Sequence, residues 1–365
     1  MSTRRLRSAF LAVALVASCL VLWYRGGTVW LLRRSWSDPK GHASCASFSP
    51  DGSLLALGYD DGRCEVLDVK NNRRLWSARG HRDFVRSIRF SPDGAMLVTA
   101  SEDCTARLWS VGKGTCLRVL AGHSEGVNHA EFSPDGEHVA TAASDRTVRV
   151  WSVRTGSCDM VLRPGNRRVE LVSYSADGRR LITSGVGATV IWDARTGARM
   201  WKLPEHSSGW LALFIRNGTR VVSGDWDGIV RVSDAKSGEC IRSFRGHSKV
   251  VTTLATSADE SILATGSGDE TARVWRLATG RCVGVLKHGG DVVSVFVSSS
   301  GDRIVTTSDA CRLWYCRRPE EWWGIFWLWE FWAAVFFGGL LLWSLWRDRR
   351  YFKSLAAKGA AEEAH

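Results

Sequence analysis

Through the middle of the chain, apolar and polar residues alternate in short runs with a period of two, as strands require and helices do not. VRSIRF at 85–90 and MLVTAS at 96–101 are typical, rich in Val, Ile, Leu and Thr. Runs of four to seven residues predict strands, four to each repeating unit, with almost no helical pattern between them. The runs are punctuated by a recurring turn. Ser49-Pro-Asp-Gly returns at Ser91 and Ser133, loosens to Ser175-Ala-Asp-Gly, and has weaker copies starting at Ile215, Ser257 and Ser299. The spacings are 42, 42, 42, 40, 42 and 42 residues, which predicts seven similar all-β units.

Both ends break this pattern. A basic head (Arg4, Arg5, Arg7) precedes residues 8–24, which hold no charged side chain. Seventeen residues is the short limit for crossing about 30 Å of hydrocarbon. Residues 1–25 therefore read as an anchor or as a cleaved signal. The run Val16-Ala-Ser-Cys19 adds a third reading, a lipoprotein signal acylated at Cys19. The second apolar run, 324–346, holds one charge, Glu330, and Trp322, Trp323 and Trp346 stand at its ends. Residues 322–346 read as a transmembrane helix with tryptophans at the headgroup boundary, followed by a basic, Ala-rich tail at 347–365. Glu330, the only intramembrane polar candidate, sits about two turns inside the span, where its carboxyl reaches the interface. Eight basic residues on the outer tails against seven on the inner flanks tilt the middle to the extracytoplasmic side, with the cytosol as the alternative.

The repeat resembles the WD40 family. Gly-His opens the unit at Gly80-His81, Gly122-His123 and Gly246-His247. It closes on Trp109-Ser110, Trp151-Ser152 and Trp192-Asp193, with Trp275 and Trp314 in the same place. An Asp stands six residues before the Trp at Asp103, Asp145 and Asp269. The resemblance covers residues 28–316 and implies a seven-bladed WD40 β-propeller, here flanked by N- and C-terminal transmembrane helices. It also implies a hydrogen-bonded network of His, Ser/Thr, Asp and Trp inside each intact blade. His81, Ser101, Asp103 and Trp109 form one expected set, and His247, Ser267, Asp269 and Trp275 another. His123, Asp145 and Trp151 form a third, with Ala143 at the hydroxyl position. One His–Asp pair per blade fits a structural role better than catalysis.

Several departures matter. His42 lies too close to its turn for the network role, the fourth unit has no Asp, and Ser233 replaces Trp in the fifth. The seventh unit lacks an outer strand of its own. Arg33-Arg34-Ser35-Trp36, which matches Arg73-Arg74-Leu75-Trp76, is expected to supply it and leave no open edge.

Ten cysteines change little. Cys116, Cys158, Cys240 and Cys282 share one repeat position, too far apart on different blades to bridge. Free thiols suit a reducing compartment, which pulls against the charge count. No metal spacing, phosphate loop or nucleophile elbow appears, so no catalytic residue, metal or cofactor is expected. Setting aside 1–25 and 319–365 leaves 40 basic against 31 acidic residues, a net +9. That charge is dispersed rather than gathered into a nucleic-acid site, and no small-molecule substrate is expected.

The family resemblance places partner binding on the rim of the central channel. By register this rim comprises Arg86, Asn128, Glu170, Trp210, Trp226 and Glu102, with Ser44, Thr252 and Ser294 at equivalent places. Trp and Arg dominate interface energetics, so Trp210 and Trp226 on the fifth blade stand out. The expected function is a membrane-anchored, non-enzymatic protein-interaction platform with partners in protein and the lipid bilayer. The alternatives are a regulator of a nucleotide-dependent switch protein and a lipid-anchored envelope assembly factor.

Overall fold

Each recurring turn is built by its own side chains. In the first, the Ser49 hydroxyl accepts from the Leu54 N–H at 2.9 Å and donates to Asp51 at 2.5 Å. Asp51 accepts from the Ser53 N–H at 3.0 Å, and Gly52 takes a φ of +69° that an L side chain resists. The same bonds recur at Ser91/Asp93, Ser133/Asp135, Ser175/Asp177 and Ser257/Asp259. In the seventh unit the serine is Ser298, whose hydroxyl accepts from the Arg303 N–H at 3.0 Å, one residue before the position read from the sequence.

The computed structural model of the protein describes residues 29–36, 41–186, 189–203, 211–215 and 218–317. Among them, twenty-eight strands form seven four-stranded sheets and there is no helix. Val29–Cys316 form one compact unit. Both apolar runs, with Cys19 and Glu330, lie outside the described residues. No helix among the described residues is long and apolar enough to cross a membrane.

The second blade shows the plan: Val85–Phe90 innermost, then Met96–Ser101, Thr105–Ser110 and Cys116–Ala121 outermost. Two irregularities recur. The inner strand slips register between Val85 and Ser87, and the outer pair slips between Leu108 and Trp109. Such bulges insert one residue and re-aim side chains. The inner bulge repeats between Ala43/Cys45, Val127/His129, Val169/Leu171 and Val251/Thr253.

A single blade buries little; the core lies between blades. Val98, Leu108 and Leu120 of the second blade pack against Val127, Val139 and Trp151 of the third. The seventh sheet has the order Val29–Trp36, Cys311–Arg317, Arg303–Thr307, Ser294–Val297, so its outer strand comes from the N-terminal side of the ring. Strand closure thus follows the expectation from Arg33–Trp36. The seam to the first blade joins Val305, Cys311 and Leu313 to Leu55, Leu57 and Tyr59. Polar bonds lock it: Thr307 to the Ser44 carbonyl at 3.2 Å, Arg303 to the Gly52 carbonyl at 2.7 Å, and Arg34 to the Val69 carbonyl at 3.0 Å.

Candidate functional site

The His–Asp pairs resemble catalytic dyads in sequence, and their geometry decides their role. His81 Nδ1 lies 2.9 Å from Asp103 Oδ2, and its Nε2 lies 2.7 Å from Thr99 Oγ1. The Trp109 indole N–H donates to the same Thr99 hydroxyl at 2.9 Å. Asp103 also accepts from the Thr105 hydroxyl at 2.6 Å and from the Arg82 N–H at 3.0 Å. The sets His123–Asp145–Thr141–Trp151 and His247–Asp269–Thr265–Trp275 repeat the His–Asp, His–Thr and Trp–Thr bonds within 0.1 Å. All three imidazoles have 0% exposed side chain. Both ring nitrogens are engaged and no substrate reaches them.

The bridging hydroxyl corrects the sequence reading. It is Thr99, not Ser101, and Thr265, not Ser267. The second strand of the blade places its threonine diagonal to the Trp, which pairs with Leu97 or Leu263, within reach of the indole N–H, whereas Ser101 and Ser267 lie two residues on, at the last position of that strand. There Ser101 donates to the Asp83 carbonyl at 3.0 Å and accepts from the Asp103 N–H at 3.2 Å. Ser267 does the same with the Lys249 carbonyl and the Asp269 N–H. The third blade therefore has a complete network through Thr141, and Ala143 removes only the turn bond.

Electrostatics follow burial. Desolvation is the largest single influence on Asp103 and Asp269 and opposes their ionisation. Hydrogen bonds from Thr105 and His81, and from Thr271, Ser248 and His247, together outweigh it. Asp103 is held well below the usual carboxylate range and Asp269 at about 2. Desolvation lowers His123 and His247, which favours neutral imidazoles.

Degenerate blades keep fragments of this arrangement. Trp192 donates to Thr183 and Trp314 to Thr306, both at 2.9 Å. His288, missed in the sequence because no Gly precedes it, stacks edge-on against Trp314 at 5.8 Å. Its Nδ1 meets Ser308 at 3.0 Å and Arg312 at 2.7 Å in place of an Asp. In the fifth blade Asp227 binds Arg231 at 2.6 Å, and the hydroxyl of the buried Ser233 has no partner. His42 is exposed, and its backbone N–H donates to Asp60.

The rim candidates have a common structural origin. Ser44, Arg86, Asn128, Glu170 and Thr252 are the extra residues of the inner-strand bulges. Three of them clasp the next blade: Ser44 donates to the Val85 carbonyl at 2.6 Å, Asn128 to the Val169 carbonyl at 2.9 Å, and Thr252 to the Val292 carbonyl. The other two form ion pairs. Arg86 donates to Glu102 at 2.6 Å, and Arg168 pairs with Glu170 at 2.5 Å. Burial raises the Glu170 pKa against the attraction of Arg168 and Arg86. Trp226 is the most exposed large apolar side chain described, at 56%. Trp210 lies outside the described residues.

One cluster escaped the sequence reading. A cavity of about 490 Å³ is lined by the inner strands and the recurring turns, and Arg89, Glu131, Phe214 and Phe296 contribute to its wall. The Arg89 guanidinium lies 4.1 Å over the Phe296 ring and 3.0 Å from His129 Nε2. Glu131 accepts from the Ser173 hydroxyl at 3.2 Å and the Tyr174 N–H at 3.4 Å. Desolvation pushes its carboxyl up to about 7 and Arg89 down to about 10, and holds His129 neutral. Single charges on the inner strands of neighbouring blades give no sequence signal; only the packing of one blade against the next brings them together.

All nine described cysteines are free. One trio of ligand-type side chains, Asp135, Glu137 and His138, gathers on a turn; its two carboxylates are exposed, and Asp135 is occupied with Ser133 and the Glu137 N–H.

Comparison with known proteins agrees with this architecture. The profile of the family described as WD domain, G-beta repeat matches residues 33–68, 72–110, 114–152, 197–234 and 238–276. A bromodomain and WD repeat-containing protein of Dictyostelium discoideum is 32% identical over 28% of this chain and 5% of its own length. Eukaryotic translation initiation factor 3 subunit I of Aspergillus fumigatus is 32% identical over 26% of the chain and 28% of its own. The angio-associated migratory cell protein of Homo sapiens is 40% identical over 20% and 17%. The chain thus spans less than a third of the length of these relatives.

Two outcomes test the site chemistry. Thr99→Val leaves His81 Nε2 and the Trp109 indole unpaired and should cost about 2 kcal/mol in urea denaturation, against about 1 kcal/mol or less for Ser101→Ala. The reverse order would contradict the network. Glu131→Gln keeps the acceptor for Ser173 and Tyr174 and removes the charge. Glu131 titrates near 7 folded and near 4.5 unfolded, so the folded state binds more protons and stability falls as pH rises through that window. His288, pushed down to about 4 by desolvation and Arg312, titrates in the opposite sense. The informative quantity is therefore the difference between the two proteins. The variant should gain little near pH 4.5 and about 3 kcal/mol by about pH 8. Parallel pH profiles would refute the raised pKa.

Proposed function

The chain belongs to the WD domain, G-beta repeat (WD40) family, and on that premise we propose that it is a membrane-anchored, non-enzymatic platform for protein partners. The observation that carries this reading is a division of labour. Every described His–Asp pair of the blade network is sealed from solvent, while Arg86 and Trp226 remain exposed. Groups that could do acid–base chemistry are committed to the fold, and groups that favour interfaces face outward.

Anchoring rests on the two apolar runs. The strands nearest them in sequence, Val29–Trp36 and Cys311–Arg317, are neighbours in one sheet, so the chain joins and leaves the ring at the same blade. The positive-inside count favours the propeller across the membrane from the two basic tails; nine free thiols favour a reducing side. A regulator of a nucleotide switch would need a protruding active segment, and spacings of 40 to 42 residues leave no room for one. The relatives share WD repeats over a fraction of their length, so their other domains supply no partner for this chain.

Affinity capture from detergent-solubilised membranes tests the platform. A protein retained by the wild type should be lost from Trp210→Ala/Trp226→Ala while the melting temperature is unchanged. Capture that survives the double substitution would sink the rim assignment.

A further inference from the structure

Outer strands leave apolar side chains in solvent all round the ring; Leu117, Val161, Met200 and Ile241 are examples. Surface composition therefore does not single out one edge. The path of the chain does. Tyr24 closes the first apolar run five residues before Val29, and the second run opens at Gly324, seven residues after Arg317. Fully extended, those connections reach about 17 Å and about 24 Å. Both lead from the seventh sheet, where the outer strand shows two consecutive exposed leucines, Leu31 at 42% and Leu32 at 50%, followed by exposed Arg33.

The flanking edges match in charge. The outer strands of the sixth, seventh and first blades are Cys282–Lys287, Val29–Trp36 and Arg73–Arg79. Together they carry six Lys or Arg and no Asp or Glu; the four remaining outer strands carry four basic residues and Asp159. Apolar side chains interleaved with cations fit a surface with acyl chains beneath negative headgroups.

We propose that the propeller rests edge-on against an anionic lipid surface through the outer strand of its seventh blade, with Leu31 and Leu32 at the headgroup boundary and Arg33, Arg73 and Lys287 facing lipid phosphate. The proposal rests on the anchored reading above and adds to it a face and a lipid charge. It orients the channel axis along the membrane plane, which leaves both channel mouths open to partners.

The full chain in phosphatidylcholine vesicles, with and without phosphatidylglycerol, tests it. Photoreactive p-benzoylphenylalanine installed at Leu32 should give lipid adducts several-fold above those at Val161 or Met200, which are similarly exposed on the third and fourth blades. Adducts at Leu32 should rise with phosphatidylglycerol, and Arg33→Glu/Arg73→Glu should abolish that rise. Equal labelling at the three positions, in a chain that alkaline carbonate leaves in the vesicles, would overturn the edge-on contact and leave anchoring intact. Labelling at Leu32 indifferent to lipid charge would overturn the electrostatic part. Release of the chain by carbonate would overturn anchoring and the proposal with it.

Discussion

Closure of the seventh sheet by a strand from the other end of the ring is the constraint on which the rest depends. No blade buries its apolar faces alone; each core forms between two neighbouring sheets, so a ring with one sheet short of a strand exposes an edge and weakens two cores. Val29–Trp36 completes the sheet, and Thr307, Arg303 and Arg34 fasten the seam to backbone carbonyls of the first blade. Because that strand precedes the first blade in sequence, closure also places Val29–Trp36 and Cys311–Arg317, the described strands nearest the two apolar runs in sequence, side by side in one sheet.

Inside the ring, polar groups serve order rather than reaction. A buried imidazole and carboxylate are costly unless every lone pair and proton is used. The network meets that demand by passing bonds from Asp to His to Thr to Trp across the strands of one blade. Where members are missing, substitutes differ: Arg312 and Ser308 on His288, Arg231 on Asp227. The inner-strand bulges do the opposite work. By adding a residue they turn Ser44, Asn128 and Thr252 toward the next blade and Arg86 and Glu170 into ion pairs.

The blade number, the turns and the closing strand were legible because each depends on local spacing: Ser, Asp and Gly at fixed offsets, and a Trp-ended run repeated once more. The identity of the bridging hydroxyl was not. Thr99 and Ser101 lie two residues apart on the same strand, and only antiparallel register with Trp109 selects between them. His288 was hidden because the Gly that marks its equivalents is absent. Arg89, His129 and Glu131 were invisible for a different reason: they come from neighbouring inner strands some forty residues apart and meet only in three dimensions.

The dependence of the ring on its closing strand is read directly from the unfolding of residues 29–317 beside residues 37–317 in urea. The longer chain should unfold in one cooperative transition, and the chain without the closing strand should lose that transition or shift it to much lower denaturant. Equal midpoints and equal slopes for the two would contradict this and show that the ring does not depend on Val29–Trp36.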